Sequence, residues 1–162
     1  MSETRSFSSI SQFVGFLSSA IAAMPKDQYT ALEQAALLVK AEAKAELGNY
    51  QGAAGPFAAW APLKPATIAR KRNGDTPLLE TGKMRDSIEH TVQGHTAWVG
   101  SNYDVAVYQE LGTRNMPPRS FLGGAAVRKE KEIVELLGAT TVRQLLGRAF
   151  WFSKITETVR LR

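Results

Sequence analysis

Residues 77–124 read PLLETGKMRDSIEHTVQGHTAWVGSNYDVAVYQELGTRNMPPRSFLGG, and the fold turns on how this stretch is punctuated. Thr81 stands where a hydroxyl caps a short helix, and Met84 and Ile88, four apart, are expected to face the core. From Ser87 to Gln93, and again from His95 to Ser101, polar and apolar residues alternate, with Gly94 between the runs. Period two on both sides of a glycine predicts a β-hairpin. Ser101 followed three positions later by Asp104 predicts a helix start, along which Val107 and Leu111 stack at helical spacing. Gly112 can take the left-handed conformation that ends that helix. Pro117 and Pro118 forbid a continuing helix or a central strand, so an extended segment follows.

Upstream, Phe7, Ile10, Phe13, Val14, Leu17, Ile21 and Met24 recur in steps of three and four. They predict an amphipathic helix that starts near Ser8 or Ser9 and stops at Pro25, packed on its own domain or serving as a docking arm for a neighbouring subunit. A second helix is expected over residues 28–47, with Leu32, Ala36, Val39, Ala43 and Leu47 on one thin stripe and Gly48 as its stop. Residues 49–63, NYQGAAGPFAAWAPL, are too long for an inert connection and carry Tyr50, Phe57 and Trp60 among small residues. These aromatics either fold the loop back or touch a partner. A short helix is expected to open at Pro65 and end in Arg70-Lys71-Arg72.

Downstream, residues 125–137 predict a helix with Ala126, Ile133 and Leu137 inward. Gly138 is expected to break it, and Thr140 or Thr141 to cap another helix carrying Val142, Leu145, Leu146, Ala149 and Phe150. The period then switches: Ile155, Val159 and Leu161 alternate with Lys154, Thr156, Thr158, Arg160 and Arg162, which reads as a strand. A terminal strand of this kind needs a sheet edge, its own or a neighbour's. The expected architecture is α+β, a small antiparallel sheet with a hairpin, flanked by helices. Residues 27–138 form the core, residues 1–26 an N-terminal helix, and residues 139–162 a basic extension.

The 162 residues are 44% hydrophobic and 22% charged, which suits one globular domain with a buried core. No cysteine is present, so disulfides and thiolate chemistry are excluded. The net charge is +5. Residues 139–162 hold five basic residues against Glu157, a net of +4, which leaves +1 for the first 138. A basic tail on a near-neutral body is weak ground for a nucleic-acid binder. No apolar run reaches the roughly 20 residues that span a bilayer. Serines interrupt residues 13–24 and Glu3 precedes them, so an export signal is not expected.

No catalytic constellation emerges. His90 and His95, both near the hairpin turn, make a poor zinc site without cysteine and are expected to be solvated. Glu80, Asp86, Asp104 and Glu110 include no pair of fixed separation suited to glycoside hydrolysis, and Asp104 and Glu110 have ready roles at helix ends. Gly123-Gly124 lacks the lysine and spacing of a phosphate loop, and no Gly-x-Ser-x-Gly occurs. The chain is expected to be non-enzymatic and to need no cofactor or metal.

Taken together, several blocks resemble a known family. Gly48-Asn49-Tyr50-Gln51 leads to Gly55-Pro56-Phe57-Ala58-Ala59-Trp60-Ala61-Pro62-Leu63 and Pro65-Ala66-Thr67-Ile68-Ala69-Arg70-Lys71. There follow Pro77-Leu78-Leu79-Glu80-Thr81-Gly82, Arg85-Asp86-Ser87-Ile88, Tyr108-Gln109-Glu110-Leu111-Gly112-Thr113 and Pro117-Pro118-Arg119-Ser120-Phe121-Leu122. Their order and spacing, over about residues 46–126, are similar to the neck or tail-completion (head–tail joining, virion morphogenesis) proteins of tailed bacteriophages. That family commonly has His or Tyr before the Glu of the Glu-x-Gly-Thr block, and often Phe after it. Gln109 and Leu111 stand at those places here.

The resemblance implies a small subunit with an antiparallel sheet flanked by helices, assembled into a homo-oligomeric ring, hexameric in this reading. The ring would sit in the virion between head adaptor or portal-side proteins and tail terminator or tail tube proteins, with genomic DNA passing through and no membrane involved. Leu79, Thr81, Gly82, Arg85, Tyr108, Glu110, Gly112, Thr113 and Pro118 carry the motif. Trp60, Leu63, Arg119 and Phe121, with Phe150, Trp151, Phe152, Ile155, Val159 and Leu161 beyond the matched stretch, are the candidate assembly contacts. A tail terminator or head-closure subunit is the near alternative. A small DNA-binding protein using Arg70-Lys71-Arg72 and the basic tail, or a carboxylate-based cell-wall hydrolase, comes from a different class.

Overall fold

The computed structural model describes residues 10–146. The fold is α+β, and among the described residues it comprises five helices and one two-stranded antiparallel sheet. In chain order these are α1 (Ile10–Glu46), α2 (Pro65–Arg70), α3 (Lys83–Asp86), β1 (Ile88–Gln93), β2 (Thr96–Ser101), α4 (Asp104–Leu111) and α5 (Leu122–Leu146).

The two expected N-terminal helices are one. α1 runs unbroken through Pro25. Proline removes one N–H and crowds the carbonyl four residues back, but its fixed φ is compatible with a helix. The apolar steps on either side of it stay in phase, from Ile21 and Met24 to Ala31, Ala35 and Ala36, of which the last three are buried. The expectation that the segment from Phe7 to Met24 packs on its own domain lies outside the described residues and side chains. At the far end Leu47 is buried and Gly48, at φ 101°, turns the chain and donates to the carbonyl of Pro77 at 2.8 Å.

Gly138 likewise does not break the chain. α5 continues through it, because a helical glycine costs only about 1 kcal/mol. Instead of capping a new helix, Thr140 and Thr141 each donate a hydroxyl to the carbonyl four residues back, those of Leu136 and Leu137, at 2.9 Å. Ala126 points outward; Ala125, fully buried, takes the inward place. Ion pairs from Glu46 to Arg128 and from Glu42 to Lys129 run in opposite senses along the two helices, so α5 lies antiparallel on α1. The alanines of α1 leave room for that close approach.

The hairpin is as the alternation predicts. Ile88 pairs with Ser101 and Gln93 with Thr96, leaving Gly94-His95 as a two-residue turn with Gly94 at φ 56°. Ile88, His90 and Val92, with Val99 and Ala97 opposite, form the more buried face, while Trp98 is half exposed on the other. Both strands pack against α1. The principal core gathers Ala43, Leu47, Trp60, Met84, Ile88, Ala106, Phe121 and Ala125 where α1 ends, α5 begins and the loops converge.

Candidate assembly site

Three motif blocks meet at the loop-rich end, and their polar groups are spent mainly on one another. Glu110, in the last turn of α4, forks its carboxylate onto two backbone N–H groups that open α5: Oε2 accepts from Leu122 and Oε1 from Gly123, both at 2.9 Å. A helix start leaves such donors unpaired and carries positive potential, so a carboxylate belongs there. Ser120 donates its hydroxyl to the carbonyl of Glu110 at 3.0 Å, and the Arg119 N–H donates to that of Gln109 at 2.7 Å. The Arg119 guanidinium reaches across to the long loop, where Nε and Nη2 donate to the carbonyl of Ala61 at 3.3 and 2.9 Å. Burial holds the pKa of this arginine below its ordinary value.

Gly112 closes α4 with φ 73° and ψ 178°. A Cβ there would stand 2.8 Å from both the carbonyl oxygen of Met116 and the nitrogen of Pro118, so the Thr113–Met116 turn depends on glycine. Thr113 and Met116 exchange backbone hydrogen bonds of 2.8 and 3.1 Å, and Pro118 is exposed beside them. In the first block, Gly82 rather than Thr81 occupies the cap of α3, in the left-handed region at φ 81°. The Thr81 hydroxyl accepts only a long 3.5 Å contact from the Lys83 N–H. Met84 and Ile88 are both buried as expected, although Ile88 begins the strand. Leu79 is partly buried beside Gly48, and Arg85 is exposed next to Asp86.

This geometry corrects the expected contact residues. Trp60, Phe121 and Arg119 are 6%, 0% and 5% exposed, so they hold the subunit together rather than offer anchors to a partner. Loop 49–63 folds back onto the core because its indole removes more apolar surface from water there than on the rim. Leu63 remains partly exposed. Phe150, Trp151, Phe152, Ile155, Val159 and Leu161, and the expected C-terminal strand, lie outside the described residues.

In Arg70-Lys71-Arg72 the central lysine is engaged internally, while both arginines are exposed. Lys71 pairs with Glu80 at 3.0 Å and donates to the carbonyl of Leu79 at 2.8 Å, while Arg70 donates to that of Ala66 at 3.0 Å. The Arg72 N–H, followed by Lys71, holds the Glu80 carboxyl below its ordinary pKa. His95 is exposed in the turn, but His90 is not the solvated residue expected. It shares the inward alternation of Ile88, and its Nε2 lies 2.8 Å from the Glu33 carboxylate.

The surface that sequence reasoning missed is the outer face of α4. Ala106 is that helix's buried residue, whereas Val107, Tyr108 and Leu111 are 55%, 55% and 73% exposed. Ala106 and Glu110 are one turn apart, and the inward partners of the Glu110 carboxylate turn Val107 and Leu111 outward. No helix among the described residues is long and apolar enough to cross a membrane. Compared with known proteins, the chain matches no family model, no curated protein and no solved structure.

Proposed function

We propose that the chain is a structural, non-enzymatic subunit of a bacteriophage neck ring that joins the tail to the DNA-filled head. Support comes from the ordered motif blocks and from one observation above all, the apolar outer face of α4. On α4 the Glu110 carboxylate is bound to the subunit's own backbone, while Val107, Tyr108 and Leu111 stand in solvent. A contiguous apolar helix face on a domain this small suits burial against a neighbouring copy. In this reading the ring is a homo-oligomer of six, placed in the virion between head adaptor and tail terminator proteins, with DNA passing through its channel. A tail terminator or head-closure ring would use the same face. The pairing of Lys71 with Glu80 does not favour the reading as a DNA-binding protein.

The test is native mass spectrometry of the full chain with an assay of infectious-particle formation. The wild type is expected to form closed oligomers and to restore head–tail joining. Val107→Glu with Leu111→Glu is expected to give a monomer of unchanged melting temperature that joins no tails. A wild-type chain that stays monomeric and is dispensable for joining overturns the reading.

A further inference from the structure

Away from the outer face of α4, a groove of about 1070 Å³ lies between residues 61–71, residues 78–84, α4 and residues 115–119. Its walls include Pro62, Leu63, Val105, Met116 and Pro117, which give it an apolar lining. Its charge is lopsided. Lys64, Arg70, Lys71, Lys83 and Arg119 line it against a single acid, Glu80, which is already paired with Lys71. Five bases and one acid concentrate a charge of +4 here, in a body whose first 138 residues sum to only +1. Among the described residues no carboxylate lies within ion-pair distance of Arg119, whose guanidinium has only the neutral carbonyl of Ala61 as acceptor. Its uncompensated charge adds positive potential to the groove from beneath the lining.

We propose that this groove docks an extended, acidic segment of a partner protein. Its apolar side chains lie along Leu63, Val105 and Met116, and its carboxylates face the exposed ammonium groups of Lys64 and Lys83. The charge also says what does not enter: residues 139–162 of this chain, at +4, are repelled from a groove of the same sign. Duplex DNA fits poorly, because its phosphates stand on a convex cylinder while Arg119 lies within the fold. The inference goes beyond the ring reading and is independent of α4's outer face, so it is tested on the full chain whatever its oligomeric state.

A displayed library of random dodecapeptides is selected on the full chain, and an enriched peptide is synthesised for binding measurements. Sequences combining Asp or Glu with apolar residues are expected to be enriched. Affinity is expected to fall at least tenfold for Lys64→Glu with Lys83→Glu, and for Val105→Glu, all at exposed positions that leave melting unchanged. It should fall similarly when the peptide's acids become amides. No enrichment, enrichment of basic or uncharged sequences, or equal binding to these variants overturns the proposal. So does displacement of the peptide by a 20-base-pair DNA duplex that itself loses affinity for the Lys64→Glu, Lys83→Glu variant.

Discussion

The two ends of the α1–α5 pair are held by different chemistry. At the loop-rich end, large side chains fill the core and polar groups lock one connection to the next: Phe121, Ile88 and Trp60 inside, with Glu110 and Arg119 as clamps. Towards the other end the buried residues among the described side chains are small, Ala31, Ala35 and Ala36 on α1 and Thr140 on α5. The first arrangement specifies a unique shape from irregular chain. The second lets two helices lie close and depends on regularity. Placing three loops takes anchors and clamps, whereas placing two helices takes little more than a thin face.

The contrast is broken most directly by removing an anchor. Phe121→Ala is expected to cost about 3–5 kcal/mol, since the ring is fully buried and its neighbours belong to several connections that cannot collapse together. Trp60→Ala should fall in the same range, because the indole is internal. Chemical denaturation of the purified chain measures both. Loss of less than 1 kcal/mol at either position would mean that the loops are held by their polar clamps alone.

A second test falls where the two regions join. Glu46 is buried, its Oε1 meets Arg128 at 2.6 Å, and its Oε2 has no partner. Burial raises its pKa from 4.5 to about 7, outweighing the opposite pull of Arg128. The folded chain therefore holds this proton more tightly than the unfolded one. Between about pH 4.5 and 7 folding takes up the proton, so stability from this group is full below that window and falls as pH rises through it. The displacement corresponds to on the order of 3 kcal/mol. Glu46→Gln is expected to abolish this part of the pH dependence, seen as the difference between the two melting profiles from pH 4 to 9. Parallel profiles would show that Arg128 compensates the charge fully.

These particulars also show what could be read in advance. The hairpin was legible because strict alternation around a glycine fits no other element, and Gly48 and Gly112 were legible because each follows a run of helical spacing. Pro25 and Gly138 misled for a shared reason. Each carries a local cost of a few kcal/mol or less, and packing along a long in-phase helix outweighs it. The orientation of α4 was hidden because periodicity gives a stripe without saying which side is covered. When the inward residue is alanine, the larger apolar residues can be the exposed ones. The aromatic loop residues stay ambiguous in sequence, because composition does not distinguish a hook into the subunit's own core from one into a neighbour.

The smallest expected effect isolates a clamp from an anchor. Glu110 receives two N–H groups at the start of α5, and its own carbonyl takes the Ser120 hydroxyl, so one residue ties the end of α4 to the start of α5. Glu110→Gln keeps the shape and one good acceptor but removes the charge that favours the positive end of the helix. A loss of about 1 kcal/mol is expected, typical of a cap and its dipole interaction together. Glu110→Ala, which exposes both N–H groups, should cost about 2 kcal/mol. The ordering is diagnostic. If Gln costs as much as Ala, charge rather than hydrogen bonding makes the clamp, and raising the salt concentration should narrow the gap between wild type and Gln variant. If neither substitution moves the melting temperature, the α4–α5 junction is held by Phe121 beneath it, and the distinction drawn between anchors and clamps fails at the place where it is clearest.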